Sequence, residues 1–160
     1  MSVTSKLLHG VAVFALTSTA ALAATDDSVY AGLVWELGQN ATIVPDVTVG
    51  ARSLHVNSGN SVDGADLSLR VKLKDGFAFD SSRLVYVGGE RDIMGNIGVG
   101  YSFVDKDILA TVAIQAPFTR AGVDLQIQNK ALKPYVEVNT LSKPDRAKSG
   151  VWNGVFVPPA

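Results

Sequence analysis

The chain contains no cysteine. Disulfides, cysteine-ligated zinc, iron–sulfur clusters and every thiol nucleophile are therefore excluded. Histidine is nearly missing as well. His9 and His55 are the 2 present, too few for a poly-histidine metal site. An excess of one charge is also missing: Lys and Arg total 14 against 15 Asp and Glu, a net charge of -1. That balance offers no electrostatic basis for general nucleic-acid binding. There is no phosphate-cradling glycine loop, because Gly88-Gly89 is followed by Glu90-Arg91-Asp92 and not by Lys-Ser or Lys-Thr. No internal repeat, low-complexity tract or long amphipathic helical stripe occurs. What remains is 160 residues with 47% hydrophobic side chains and 15 glycines, enough for one folded domain.

The first segment reads as an export signal. Lys6 is the lone positive side chain of a short leading region, Leu7 to Leu16 is mostly apolar, and Ala21-Leu22-Ala23 offers small residues for a signal peptidase. About 10 strongly apolar residues are too few to cross a bilayer as a helix. Residues 1–23 are therefore expected to be a cleaved signal peptide. No cysteine follows the apolar run, so lipoprotein anchoring is excluded. Cleavage leaves His55 as the one imidazole of the mature chain.

From Ser28 onward the chain alternates with period two, the mark of strands. Ala65–Lys74 is the clearest case. Ala65, Leu67, Leu69, Val71 and Leu73 form one apolar face, and Asp66, Ser68, Arg70, Lys72 and Lys74 form one polar face. A helix would scatter these residues around its circumference, whereas a strand separates them. Asp75-Gly76 then predicts a tight hairpin. Further strands are expected over Ser28–Leu37, Asp46–Val56, Phe77–Val87, Ile93–Phe103, Ile108–Ala116, Ala121–Gln128 and Pro134–Leu141. The alternation blurs after Arg52, and Ser81-Ser82 interrupts its strand in a way that suggests a bulge. Long loops are expected at Gly38–Pro45 and Asn57–Gly64. The fold class is all-β, a small antiparallel up-and-down barrel of about eight strands over residues 24–141. Residues 142–160 form a C-terminal tail or, through Val151–Val157, a short closing strand. Pro158-Pro159 cannot continue a ladder.

Two architectures use such strands. A soluble sandwich or barrel packs its apolar face inward, and an outer-membrane barrel does the reverse. Four features favour the second. The chain reads as exported. Its strands approach the roughly 9–11 residues needed to cross a bilayer tilted. The polar faces carry both signs, so Glu36, Arg52, Asp66, Arg70, Lys72, Lys74, Asp124 and Glu137 are candidates for an internal ion-pair network. Small residues such as Gly98, Gly100 and Ser102 leave room for the long cations. Finally, Trp35, Phe77, Phe79, Tyr101, Phe103, Phe118 and Tyr135 lie near strand ends, where interfacial aromatic belts form.

The segment Gly95-Asn96-Ile97-Gly98-Val99-Gly100-Tyr101-Ser102-Phe103 resembles the glycine-and-aromatic membrane strands of the small eight-stranded outer-membrane barrels of Gram-negative bacteria. The resemblance extends over roughly Ser28–Leu141. It implies a cell-envelope protein at the outer membrane, with lipid or lipopolysaccharide around it and a surface protein or glycan as a further partner. Such barrels usually end on an aromatic residue. This chain ends on Val157-Pro158-Pro159-Ala160, with Phe156 nearby.

Chemistry-bearing motifs are sparse. A Ser–His–acid hydrolase would need His55 as its base, and nothing in the sequence ties His55 to a particular serine or carboxylate. Asp105-Lys106-Asp107 and Glu90-Arg91-Asp92 are too short, and too interrupted by cations, for calcium loops. They read as turns. No catalytic residue, metal ligand or cofactor is expected. An eight-stranded interior holds only side chains or one small ligand, so a general diffusion pore is not expected. The leading expectation is a structural or surface-recognition barrel in the outer membrane, displaying its loops for adhesion. A soluble exported binding module, in the periplasm or secreted, is the alternative. A lipid-modifying hydrolase ranks last.

Overall fold

The computed structural model describes residues 25–38, 41, 43–57, 59–74, 76–145, 150–152 and 155–157. The expected signal peptide lies outside them. Eight strands run in chain order: β1 (Thr25–Glu36), β2 (Asp46–Val56), β3 (Ser61–Lys72), β4 (Ala78–Glu90), β5 (Ile93–Ser102), β6 (Asp107–Ala116), β7 (Thr119–Gln126) and β8 (Leu132–Asn139). Each pairs antiparallel with the next. β8 returns to β1, with Tyr135 opposite Glu36 and Asn139 opposite Gly32, so the sheet is a closed barrel. Closure removes every sheet edge that would otherwise present unpaired backbone groups. The all-β, eight-stranded, antiparallel reading of the sequence is what the chain adopts.

The barrel is inverted relative to a water-soluble core. Each of the eight strands turns a large apolar side chain outward: Val29, Val49, Leu67, Leu84, Ile97, Val112, Leu125 and Val138 are between 37% and 84% exposed. The opposite faces bury Thr48, Asp66, Ser68, Arg70, Arg83, Asn96, Thr111, Gln115, Arg120, Asp124 and Glu137.

The two ends differ. Between β2 and β3, β4 and β5, and β6 and β7 the turns are short, and the chain enters and leaves the barrel at this end. Asn57–Gly64 corrects the sequence reading. β3 begins at Ser61, so the expected long loop is a turn over 57–60, and it lies at the end opposite Gly38–Pro45. The alternation that blurred after Arg52 continues in phase. Leu54 and Val56 point inward and join Val62, Val85, Val87 and Met94 in an apolar cluster that fills this end.

The chain after β8 bends over that mouth. Leu141 and Pro144 are buried. Arg91 Nε, in the β4–β5 turn, donates to the Pro144 carbonyl at 2.7 Å, and the Asp145 amide donates to the Asp26 carboxylate at 2.8 Å. Lys143 pairs with Asp92. Beyond lie two short strands, β9 (Gly150–Trp152) and β10 (Val155–Val157), which pair only with each other. The Val151–Val157 segment therefore does not close the barrel.

One irregularity re-aims a strand. Along the β3–β4 ladder Arg70 faces Ser81 but Val71 faces Phe79, leaving Asp80 as an extra residue. This is the bulge that Ser81-Ser82 suggested. Asp80 and Ser81 both turn inward, and the phase beyond them flips. Phe77 and Phe79 consequently face outward, ring against ring at 5.7 Å.

Candidate functional site: a charged, closed interior

Two clusters of like composition fill the middle of the barrel. Each contains a tyrosine, arginine and an aspartate.

In the first, Asp124 of β7 accepts from Arg83 Nε at 3.2 Å and from Arg83 Nη2 at 2.5 Å. This two-point grip fits the planar guanidinium fork. Arg70 of β3 approaches the same carboxylate at 3.8 Å and donates to Glu36 at 3.3 Å. Both cations lie over the Tyr135 ring, at 4.9 Å for Arg70 and 5.8 Å for Arg83.

In the second, Asp66 of β3 accepts from Arg120 Nη2 at 2.7 Å and from the Tyr30 hydroxyl at 2.8 Å. Arg120 also donates to the Tyr30 hydroxyl at 3.3 Å and to Gln115 Oε1 at 3.1 Å, and it stands 3.8 Å from Glu137. Its guanidinium lies 5.6 Å from the Tyr30 ring centre. Asn139 Nδ2 fixes Glu137 at 2.7 Å.

Glycine makes room for each tyrosine. Tyr30 on β1 is registered against Gly50 on β2, and Tyr135 on β8 against Gly122 on β7. A Cβ at Gly50 would stand 2.5 Å from the Tyr30 ring, and one at Gly122 would stand 2.9 Å from the Tyr135 oxygen. The rings lie across the backbone where side chains are missing. We predict that Gly50→Val expels Tyr30 from Asp66 and lowers unfolding stability by about 1–3 kcal/mol, the usual cost of overpacking. A urea midpoint unchanged from the parent protein would refute this.

The residues singled out from sequence divide as follows. Glu36, Asp66, Arg70, Asp124 and Glu137 lie in the two clusters. Lys72 faces the loop-end mouth and pairs with Asp80 at 2.9 Å, where the Ser81 hydroxyl also donates at 2.8 Å. Arg52 is buried between Ser28 on β1 and Asp66 on β3, so it borders the second cluster; its Nε and Nη1 lack hydrogen-bond partners among the described residues. Lys74 stands exposed beyond the end of β3 and is not part of the interior. Tyr135 was expected in an outer aromatic belt, and it faces inward. Arg83, Arg120, Tyr30 and the bulge residue Asp80 were not singled out from sequence.

At the loop end, Asp105 in the β5–β6 turn accepts from Lys133 Nζ at 2.6 Å, Gln126 Nε2 at 2.5 Å and the Ser102 hydroxyl at 3.2 Å. Partial burial opposes ionisation, but the Lys133 ammonium and these donors outweigh it and hold the carboxyl below its ordinary range. This contact thus stabilises the fold above the ordinary carboxylate pKa and is lost as pH falls through the depressed one. Asp107 accepts from the backbone amides of Gln128 and Asn129, each at 3.0 Å, and ties this turn to the next.

Comparison of the chain with protein-family models, with curated proteins and with solved structures finds no match. The interior and the outer surface therefore carry the functional reading.

No group of three or more histidine, aspartate or glutamate side chains is placed to hold a metal among the described residues. His55 is half-buried on the outer side of β2, registered against Asp63 on β3 and Thr25 on β1. No hydrogen bond joins His55 to Asp63. Chemically, the interior neutralises charge with charge and locks strands on opposite sides of the barrel together: β3 to β7 through Arg70–Asp124 and Asp66–Arg120, and β4 to β7 through Arg83–Asp124.

Proposed function

We propose that the chain is an outer-membrane barrel that supports the cell envelope or displays its loop end for recognition, and that it is not a diffusion pore. The supporting observation is the inverted polarity. Eight exposed apolar faces surround an interior of paired Arg, Asp and Glu. In water the outer surface would be one continuous apolar band, far beyond the few hundred Å² that soluble monomers tolerate. In a bilayer the same band meets hydrocarbon, and the closed ladder pairs backbone groups strand to strand around the whole barrel, as a lipid environment demands. The strands, 8 to 13 residues long, suit a tilted crossing. The filled lumen argues for structure and recognition over transport.

Cell fractionation tests this reading. The mature protein is expected to stay with outer membranes through alkaline washing. It should also migrate differently on SDS gels with and without boiling, as a closed barrel that resists detergent does. Recovery as a freely soluble protein from the periplasm or medium would overturn the proposal and leave the soluble binding module in its place.

A further inference from the structure

The loop end carries an outer patch of aromatic rings flanked by two exposed lysines, neither of which forms an ion pair among the described residues. Phe77 and Phe79 at the start of β4 face outward edge to face, and Tyr101 and Phe103 at the end of β5 do the same at 5.6 Å. β4 and β5 are neighbours, with Ser82 registered against Tyr101, and the Phe103 amide donates to the Asp80 carbonyl. The four rings therefore occupy one outer area. Lys74 precedes it on the β3–β4 loop and Lys106 follows it on the β5–β6 turn, both exposed.

Lys106 holds a left-handed backbone conformation, φ 53°, a position where glycine or asparagine is the usual choice. Its flanking acids are committed elsewhere: Asp105 to Lys133, Gln126 and Ser102, and Asp107 to the amides of Gln128 and Asn129. The turn commits its negative charge to β7 and β8, and Lys106, exposed, follows Phe103 by three residues. At the opposite end the exposed charged residues of the strands and turns are acidic, Asp27, Asp63, Glu90 and Asp92, with Lys143 on Asp92.

We infer that this patch binds the phosphate-bearing headgroup of an anionic membrane lipid. Lys74 and Lys106 would hold the phosphate, and the acyl chains would lie along Phe77, Phe79, Tyr101 and Phe103. The rings select a lipid over a free phosphate, because they sit on the apolar side of the cations where only a hydrocarbon tail gains from contact. Charge complementarity assigns the headgroup to the loop end. The inference rests on the membrane reading above.

The test is native mass spectrometry of the mature protein in a zwitterionic detergent, titrated with diphosphoryl lipid A, phosphatidylglycerol or phosphatidylcholine. Inorganic phosphate is added as a competitor. The two anionic lipids are expected to bind about tenfold more tightly than phosphatidylcholine, and inorganic phosphate should not displace them. The double variant Lys74→Gln/Lys106→Gln should lose about tenfold toward the anionic lipids. Lys130→Gln removes the same charge from a turn of the same backbone conformation, φ 52°, away from the rings, and should bind as the parent does. Equal binding of all three lipids, an unaffected double variant, an equal loss in Lys130→Gln, or displacement by free phosphate would each overturn the inference. The shift in gel mobility on boiling, measured on the same samples, separates this outcome from failure of the barrel itself.

Discussion

Asp124→Asn is expected to lower unfolding stability by about 3–5 kcal/mol, among the largest effects of any single change in the interior. Asp124 is 1% exposed and takes both nitrogens of the Arg83 fork while also facing Arg70. Without its charge, two arginines over one tyrosine ring face each other with Glu36 as the nearest remaining counterion. The loss therefore reflects stranded charge more than a lost bond. The double variant Arg83→Met/Asp124→Leu separates the two. Removing one cation together with its anion should recover most of the stability, since an apolar pair of similar volume often matches a buried ion pair. Urea unfolding of the detergent-embedded protein, followed by the shift in gel mobility, reads both. A double variant no better than Asp124→Asn would show that the arginine packs a space methionine cannot fill.

Ile97→Arg should cost about 2–4 kcal/mol when the protein is measured in a bilayer, because it places a charge in the middle of the outer belt. Ile97 is 63% exposed and sits midway along β5, registered against Val112 on β6. In a water-soluble barrel the same change would be a surface substitution worth no more than about 0.5 kcal/mol either way, and would improve solubility. The position thus distinguishes the two settings of one fold. A midpoint unchanged in lipid vesicles would contradict the membrane reading.

The strands were legible because each buried face repeats every second residue, and the hairpins because Asp75-Gly76 and Asn129-Lys130 interrupt that rhythm. The interior was legible only in part, for local reasons. Asp66, Arg70 and Asp124 sit in clean alternation and could be assigned to a polar face. Arg83 could not, because the extra residue at Asp80 shifts the phase of β4 just before it. Arg120 precedes the first clear alternation of β7. Tyr30 and Tyr135 share faces with Glu36 and Glu137, but an aromatic near a strand end fits an interfacial belt equally well. The sense of Leu54 and Val56 was hidden because the inside of the barrel changes from charged to apolar along its length, so polarity stops marking the face while geometry still does.

The seam between β1 and β8 has a consequence for synthesis. It is the shortest ladder in the barrel, from Gly32–Glu36 to Tyr135–Asn139, and it joins the first strand to the last. Every other pairing links neighbours in sequence and can form as the chain emerges. This one waits for the whole domain. Until it forms, β1 and β8 each expose a row of backbone donors and acceptors, and Asp66 of β3 is not held against Arg120 of β7 across a closed lumen. An incomplete chain is therefore both an open sheet and an unbalanced set of charges. Any helper that holds the unfinished barrel has a defined target, the free edge of β1, from the first strand until the last one docks.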